Sequence, residues 1–250
     1  LHTSWINDDQ SYDDAIVRFV EQTLDGRRSR RFLASFLPFQ QRIALAGIVN
    51  SLAQLVLKLA SPGVADFYQG SELWDLSLAD PDNRRPVDFD ARRRLLGDLA
   101  PLLDGSATAA ERSAAVAAML TNWQDGRIKL YLTACGLRLR RGSPELFLRG
   151  EYVPLEAAGD RKEHVIGFAR RHAGERLVVI VPRLATALTR PDHPFPLGES
   201  SWRSAQLLLP KELRSEPYTN LFTGEQVSGA DRGEIPLADI FRTCPVAALV

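Results

Sequence analysis

Between Pro62 and Phe89 the sequence reads PGVADFYQGSELWDLSLADPDNRRPVDF. Tyr68, Gln69, Glu72, Trp74, Asp75, Asp80, Asp82, Asn83, Arg84 and Arg85 all fall in this short stretch. Side chains of these types suit a ligand crowded with hydroxyls. Carboxylates and amides bond both ends of a diol, and a guanidinium donates from a fixed fork. Tyr and Trp add flat apolar faces with a polar edge. The chemistry on offer is gripping; the stretch looks like the rim of an active site without its centre.

Each residue carries two readings. Tyr68, Gln69 and Glu72 border a cleft if they leave the end of a barrel strand. Alternatively Tyr68 packs under the loop and Glu72 pairs with Arg84 or Arg85 to brace it. Asp80 to Arg85 reads as a tight, self-bonded loop stiffened by Pro81, with Asp82, Asn83 and Arg84 best able to reach a ligand. Trp74 either stacks on a ligand ring or fills the core beneath. His2 and Trp5, in the opening motif, are weaker binding candidates. Trp123 and Trp202 read as packing residues.

The elements that must hold this loop follow from periodicity. Ala15, Ile16, Phe19 and Val20 recur at helical spacing behind Ser11 and Asp13, either of which could cap the helix. A second helix is expected over Phe39–Leu59, with an apolar stripe wide enough for burial on more than one side. Pro62-Gly63 stops it, and Val64–Phe67 reads as a short buried strand. Helices are expected over Phe89–Leu103, Ala107–Leu120 and Ile128–Leu139. Beyond Ser143-Pro144 short apolar runs alternate with turn residues, the texture of an antiparallel sandwich. Runs of this kind start at Leu146, Tyr152, Val165, Leu177, Ala205, Tyr218, Ile235 and Val246, with Thr223-Gly224-Glu225 as a hairpin turn. The expected class is α+β, with a mainly helical domain over residues 1–145 and an all-β domain over 146–250.

Composition narrows the function. Lysines plus arginines and aspartates plus glutamates are both 31, which gives no global electrostatic case for nucleic acid or an anionic membrane. The basic run Arg27–Arg31 reads as a solvated helix end. No hydrophobic run long enough to span a membrane is read, and no signal peptide. Cys135 and Cys244 are expected to be reduced and buried in a cytoplasmic protein. The four histidines show no metal-binding spacing, so neither a metal nor a cofactor is expected. The chain opens on Leu1-His2-Thr3-Ser4-Trp5-Ile6 without a methionine, which sets the expectation of a piece excised from something longer.

Pro62, Gly63, Tyr68, Gly70 and Glu72 match a pattern at the last barrel strand of the α-amylase superfamily, with Ala65 where a second proline is usual. HTSWINDDQSYDDA, NSLAQLVLKLASPG, DPDNRRPVDF, LVVIVPRL, YTNLFTGE and PVAALV narrow the resemblance to one branch, the maltooligosyltrehalose synthases, and together they span the chain. The resemblance implies the last strand and loop of an incomplete (β/α)8 barrel, followed by the C-terminal β-sandwich. It implies a maltooligosaccharide substrate, whose reducing-end α-1,4 bond is converted to an α,α-1,1 bond. The implied chemistry is that of a retaining glycosidase, with a carboxylate nucleophile and a carboxylic acid as general acid/base. No segment here matches the motifs that carry those carboxylates, so the chain is expected to be inactive alone. An incomplete barrel exposes edges and apolar surface that a dimer could cover. The rival reading is a free-standing carbohydrate-binding or structural module.

Overall fold

A computed structural model describes residues 2–4, 6–214 and 217–250. Contacts divide the chain into two compact units, Leu1–Gly47 and Ile48–Val250. The first unit holds α1 (Gln10–Leu24) and the opening part of α2 (Arg30–Ala60). The cap of α1 is Asp9 rather than Ser11 or Asp13. Its extended backbone lets the carboxylate accept from Tyr12 N, and the Ser11 hydroxyl donates to that carboxylate at 2.7 Å. Helix α2 begins at Arg30, well before Phe39. Pro38 lies inside it, a residue that a local reading takes as a boundary because it removes a helical donor. Arg30 and Arg31 open the helix exposed, as a solvated basic end does.

By length and composition α2 could cross a membrane, and it is the one such helix among the described residues. The sequence reading had no such run. Ile48, Val49, Leu52, Ala53, Leu55, Val56, Leu59 and Ala60 are buried within the second unit, where this stretch acts as a core helix.

The second unit mixes helices with antiparallel sheet. After the loop come α3 (Phe89–Asp98), α4 (Ala100–Leu103), α5 (Ala109–Thr121), α6 (Arg127–Gly142) and α7 (Pro144–Leu148). Thr108 and Glu111 close a reciprocal capping box on α5, which satisfies two orphan donors. Leu146–Leu148, expected as a strand, is helix α7. Pro144 stands at its start, where its missing N–H breaks no helical bond.

The strands β1 (Glu151–Ala158), β2 (Val165–His172) and β3 (Glu175–Pro182) form a meander. Helix α8 (Gly198–Trp202) leads to β4 (Gln206–Leu208), β5 (Tyr218–Thr219), β6 (Gln226–Val227), β7 (Glu234–Pro236), α9 (Leu237–Ile240) and β8 (Ala247–Leu249). Six of these strands make one sheet, ordered β7-β4-β1-β2-β3-β8, while β5 and β6 pair separately around the Asn220–Glu225 turn. β1 divides its length: Glu151–Leu155 pairs with β2, and Glu156–Ala158 pairs with β4.

Side chains alternate across the sheet. Ala169, Val178 and Ile180 join Trp202, Tyr218, Phe241 and their neighbours in the main apolar cluster. Leu177 and Val179 face the other way, in a seam with Val56, Leu59, Leu139 and Phe147 of the helices. A Cβ on Gly136 would fall 2.4 Å from a Leu59 methyl, so glycine there lets α6 close on α2. Tyr131 donates through its hydroxyl to Phe222 O at 2.7 Å, tying α6 to the β5–β6 turn.

Arg170 of β2 is 1% exposed. It donates to Ala60 O at 3.0 Å, Phe147 O at 3.0 Å and Gly150 O at 2.9 Å. One guanidinium thus caps the end of α2 and the end of α7 together, a good use of a cation at two negative helix termini. Cys135 and Cys244 are free and buried; burial pushes their thiols up to about 11 and about 12.

Candidate functional site

The polar stretch starts where α2 stops. Arg140 of α6 donates to Leu59 O at 2.7 Å and Gly63 O at 3.3 Å, which fixes the exit from the helix. Val64–Phe67 then has no ladder partner among the described residues, and Val64 is 93% exposed. The expected buried strand is absent here. A strand exists only through its hydrogen-bonded neighbours, and none of the described residues pairs with this segment.

Gly70 turns the chain at φ +94°, with Val87 3.1 Å from where a Cβ would stand. Glu72 closes that turn: one carboxylate oxygen accepts from Gly70 N at 2.9 Å and from Arg92 Nε at 2.9 Å. Arg92 also donates to Gly70 O at 2.7 Å and Asp88 O at 3.0 Å. The bracing partner of Glu72 is therefore Arg92 of α3, not Arg84 or Arg85. A contact twenty residues away along the chain left no local signal, whereas neighbouring arginines did.

Trp74 is half-buried. Its indole N–H donates to Trp123 O at 2.5 Å, and the two rings meet edge to face at 6.4 Å. Lys129 of α6 donates to Leu73 O at 3.0 Å beside it. Further on, Asp80 and Arg84 form a two-pronged pair at 2.5 and 2.9 Å. Asp82 accepts from Leu78 N at 2.7 Å and pairs with Arg85. The Leu78 N–H first, then Arg85, hold the Asp82 carboxyl below its ordinary value; Ser77 does the same for Asp75. Four candidates, Glu72, Trp74, Asp82 and Arg84, are thus engaged within the loop and its helices.

The other three point elsewhere. Tyr68 is 72% exposed, so it does not pack under the loop. Gln69 and Asn83 are exposed and their amides carry no hydrogen bond among the described residues. Tyr68, Gln69 and Asn83 are free to meet a ligand. In the first unit His2 stacks on Tyr12 at 5.0 Å, and Trp5 lies outside the described residues. Trp202 is fully buried and donates to Pro196 O at 2.8 Å; Trp123 is half-buried against Trp74. Arg92, Arg140 and Arg170 shape this region and were missed, because a clamping arginine has the same sequence signature as a solvated one. No group of acidic, histidine or cysteine side chains suited to a metal occurs among the described residues.

No protein-family model matches the chain. Over 258 aligned residues it is 35% identical to a putative maltooligosyl trehalose synthase of Mycobacterium tuberculosis, covering 100% of this chain and 26% of that protein. The solved maltooligosyltrehalose synthase of Arthrobacter ramosus superposes with a TM-score of 0.71 at 30% identity, over 100% of this chain and 28% of the other. A DSM5389 glycosyltrehalose synthase superposes at 0.66 with 26% identity, again over the whole chain. The chain spans about a quarter of the length of the relatives it matches. Along all of that span it is similar, in sequence and in fold, to the maltooligosyltrehalose synthases.

Proposed function

We propose that this chain works as part of a maltooligosyltrehalose synthase, an isomerase that rebuilds the reducing-end α-1,4 bond of a maltooligosaccharide as an α,α-1,1 bond. The observation that carries the proposal is the match over every part of the chain to enzymes of that name. In this reading Val64–Phe67 is the last strand of a barrel, and it becomes one when the neighbouring strands are supplied. Tyr68, Gln69 and Asn83 contact the glucan, and Glu72, Trp74, Asp82 and Arg84 hold the rim in shape. The six-stranded sheet belongs to the β-sandwich that follows the barrel.

The first unit supports a role inside a larger body. Helix α1 has no buried residue, and Ile16, Val17, Phe19, Val20, Phe32, Phe36, Leu37 and Phe39 are all exposed. Apolar surface on that scale suits contact with further protein, whether the rest of the enzyme or a second copy of this chain. Buried free thiols fit the reducing cytoplasm, which completes the proposal.

Retaining chemistry needs two carboxylates flanking the scissile bond. In the polar stretch, every acid with a resolved partner braces backbone or arginine, so the proposal assigns the 250-residue chain no turnover of its own. The test incubates the purified chain with maltopentaose and follows reducing ends. No loss is expected; a steady loss overturns the assignment. The rival reading, a free-standing carbohydrate-binding or structural module, draws on the self-contained core of the second unit. Saturable binding of maltopentaose by the chain alone, by calorimetry, would favour it.

A further inference from the structure

A cavity of about 170 Å³ opens in the second unit, lined by Ser51, Gln54, Leu55 and Lys58 of α2, Ser71 of the loop and Lys129 of α6. Two ammonium groups border it, and neither has a carboxylate within ion-pair distance among the described residues. Each is held in place. The Lys58 nitrogen lies 3.9 Å from the centre of the Phe67 ring. Lys129 donates to Leu73 O at 3.0 Å and lies 5.6 Å from the centre of a Trp74 ring.

The acids nearby are already engaged, Glu72 by Arg92 and Gly70, and Asp75 by Ser77. Burial first, then the charge of Lys58, holds Lys129 below the ordinary lysine value, while Asp75 and Glu72 pull it partly back. Two ammonium groups without a carboxylate partner thus flank one polar cavity, whose lining also includes Ser51, Gln54 and Ser71. An oxyanion with several oxygens answers both charges at once, through charge-assisted hydrogen bonds. A neutral sugar leaves the repulsion in place.

We propose that this cavity binds a small oxyanion of phosphate or phosphomonoester chemistry. The site adjoins Ser71, whose hydroxyl donates to Tyr68 O at 2.6 Å, so an occupant would steady the turn that presents Tyr68 and Gln69. The proposal goes beyond the glucan reading and stands whether or not the chain binds glucan.

The test is NMR of ¹⁵N-labelled lysine ammonium groups in the full 250-residue chain, titrated with inorganic phosphate, glucose 6-phosphate and glucose. Phosphate is expected to shift Lys58 and Lys129 saturably and to raise the titration point of Lys129. Glucose is expected to shift neither. Equal affinity for the two phosphates assigns the site to free phosphate; about tenfold tighter binding of the ester assigns it to a phosphorylated sugar. Lys58→Met removes an exposed charge at little risk to folding and should weaken binding about tenfold. Absence of a saturable shift, glucose acting as phosphate does, or unchanged affinity in Lys58→Met overturns the proposal.

Discussion

The loop from Tyr68 to Arg85 and the buried guanidinium of Arg170 use the same kind of chemistry to opposite ends. At the tip of the loop, charges pair with partners three or four residues away, in solvent: Asp80 with Arg84 and Asp82 with Arg85. Such pairs shape a few residues and add little stability. Arg170 has no carboxylate partner among the described residues. It binds three carbonyls from the ends of α2 and α7 and from Gly150, with water excluded. The difference teaches that charge count is a poor guide to importance. A loop with many ion pairs can be locally stiff and globally dispensable, while one unpaired cation holds the sheet against two helices.

Breaking each region in turn measures this contrast. Arg170→Met should have the largest effect, more than about 3 kcal/mol, because three buried acceptors lose their donor; chemical denaturation reads it. Arg170→Lys should recover only part, since an ammonium lacks the planar fork. Glu72→Gln should cost about 1–2 kcal/mol, through weaker bonds to Gly70 and Arg92 at a half-buried position. A loss as large as that of Arg170→Met would erase the distinction between the regions. Arg84→Ala should change stability by less than about 1 kcal/mol. In an active enzyme carrying this segment, a fall in turnover with unchanged melting would then show Arg84 reaching substrate.

The smallest effect is acid sensitivity of the loop. Asp75 and Asp82 both have carboxyl pKa values held below the ordinary 3.8. The unfolded chain therefore takes up their protons first as pH falls. Their contribution is complete above about pH 5, is lost as pH drops through the folded-state values below 3.8, and is absent when both states are protonated. Protection of the Ser77 and Leu78 amides, taken relative to the intrinsic exchange rate at each pH, should fall over that window, while protection of the β3 amides holds. Equal loosening of β3 would show that the loop carries global stability.

Much of this was legible in the sequence. Helical spacing found α5 and α6 to within three residues of their ends and read α3 and α4 as one helix, Phe89–Leu103; apolar runs between turn residues found β2, β3 and half of β1. The β5–β6 turn was read from Thr223-Gly224-Glu225. The failures share a cause: local pattern was asked about distant partners. Leu146–Leu148 is as apolar as a strand, but Pro144 and the Arg170 contact at Phe147 O make it a helix end. Val64–Phe67 reads as a strand because its residue types suit one, yet strands are made by neighbours. At the site, composition identified a polar rim but not its division of labour. Glu72 meets Arg92 rather than the arginines beside it in sequence, and Trp74 meets Trp123 across 49 positions.

The tryptophans give this molecule two separate optical signals. Trp202 is fully enclosed and stacks on Phe241 at 4.7 Å, so its emission should be blue-shifted and insensitive to quenchers. Trp74 and Trp123 meet at the half-buried edge of the loop, where emission is redder and open to quenching. With Trp5 replaced by Phe, blue fluorescence follows the apolar core and red fluorescence follows the rim. Loosening of one region and melting of the other then become distinguishable in a single cuvette, without any label.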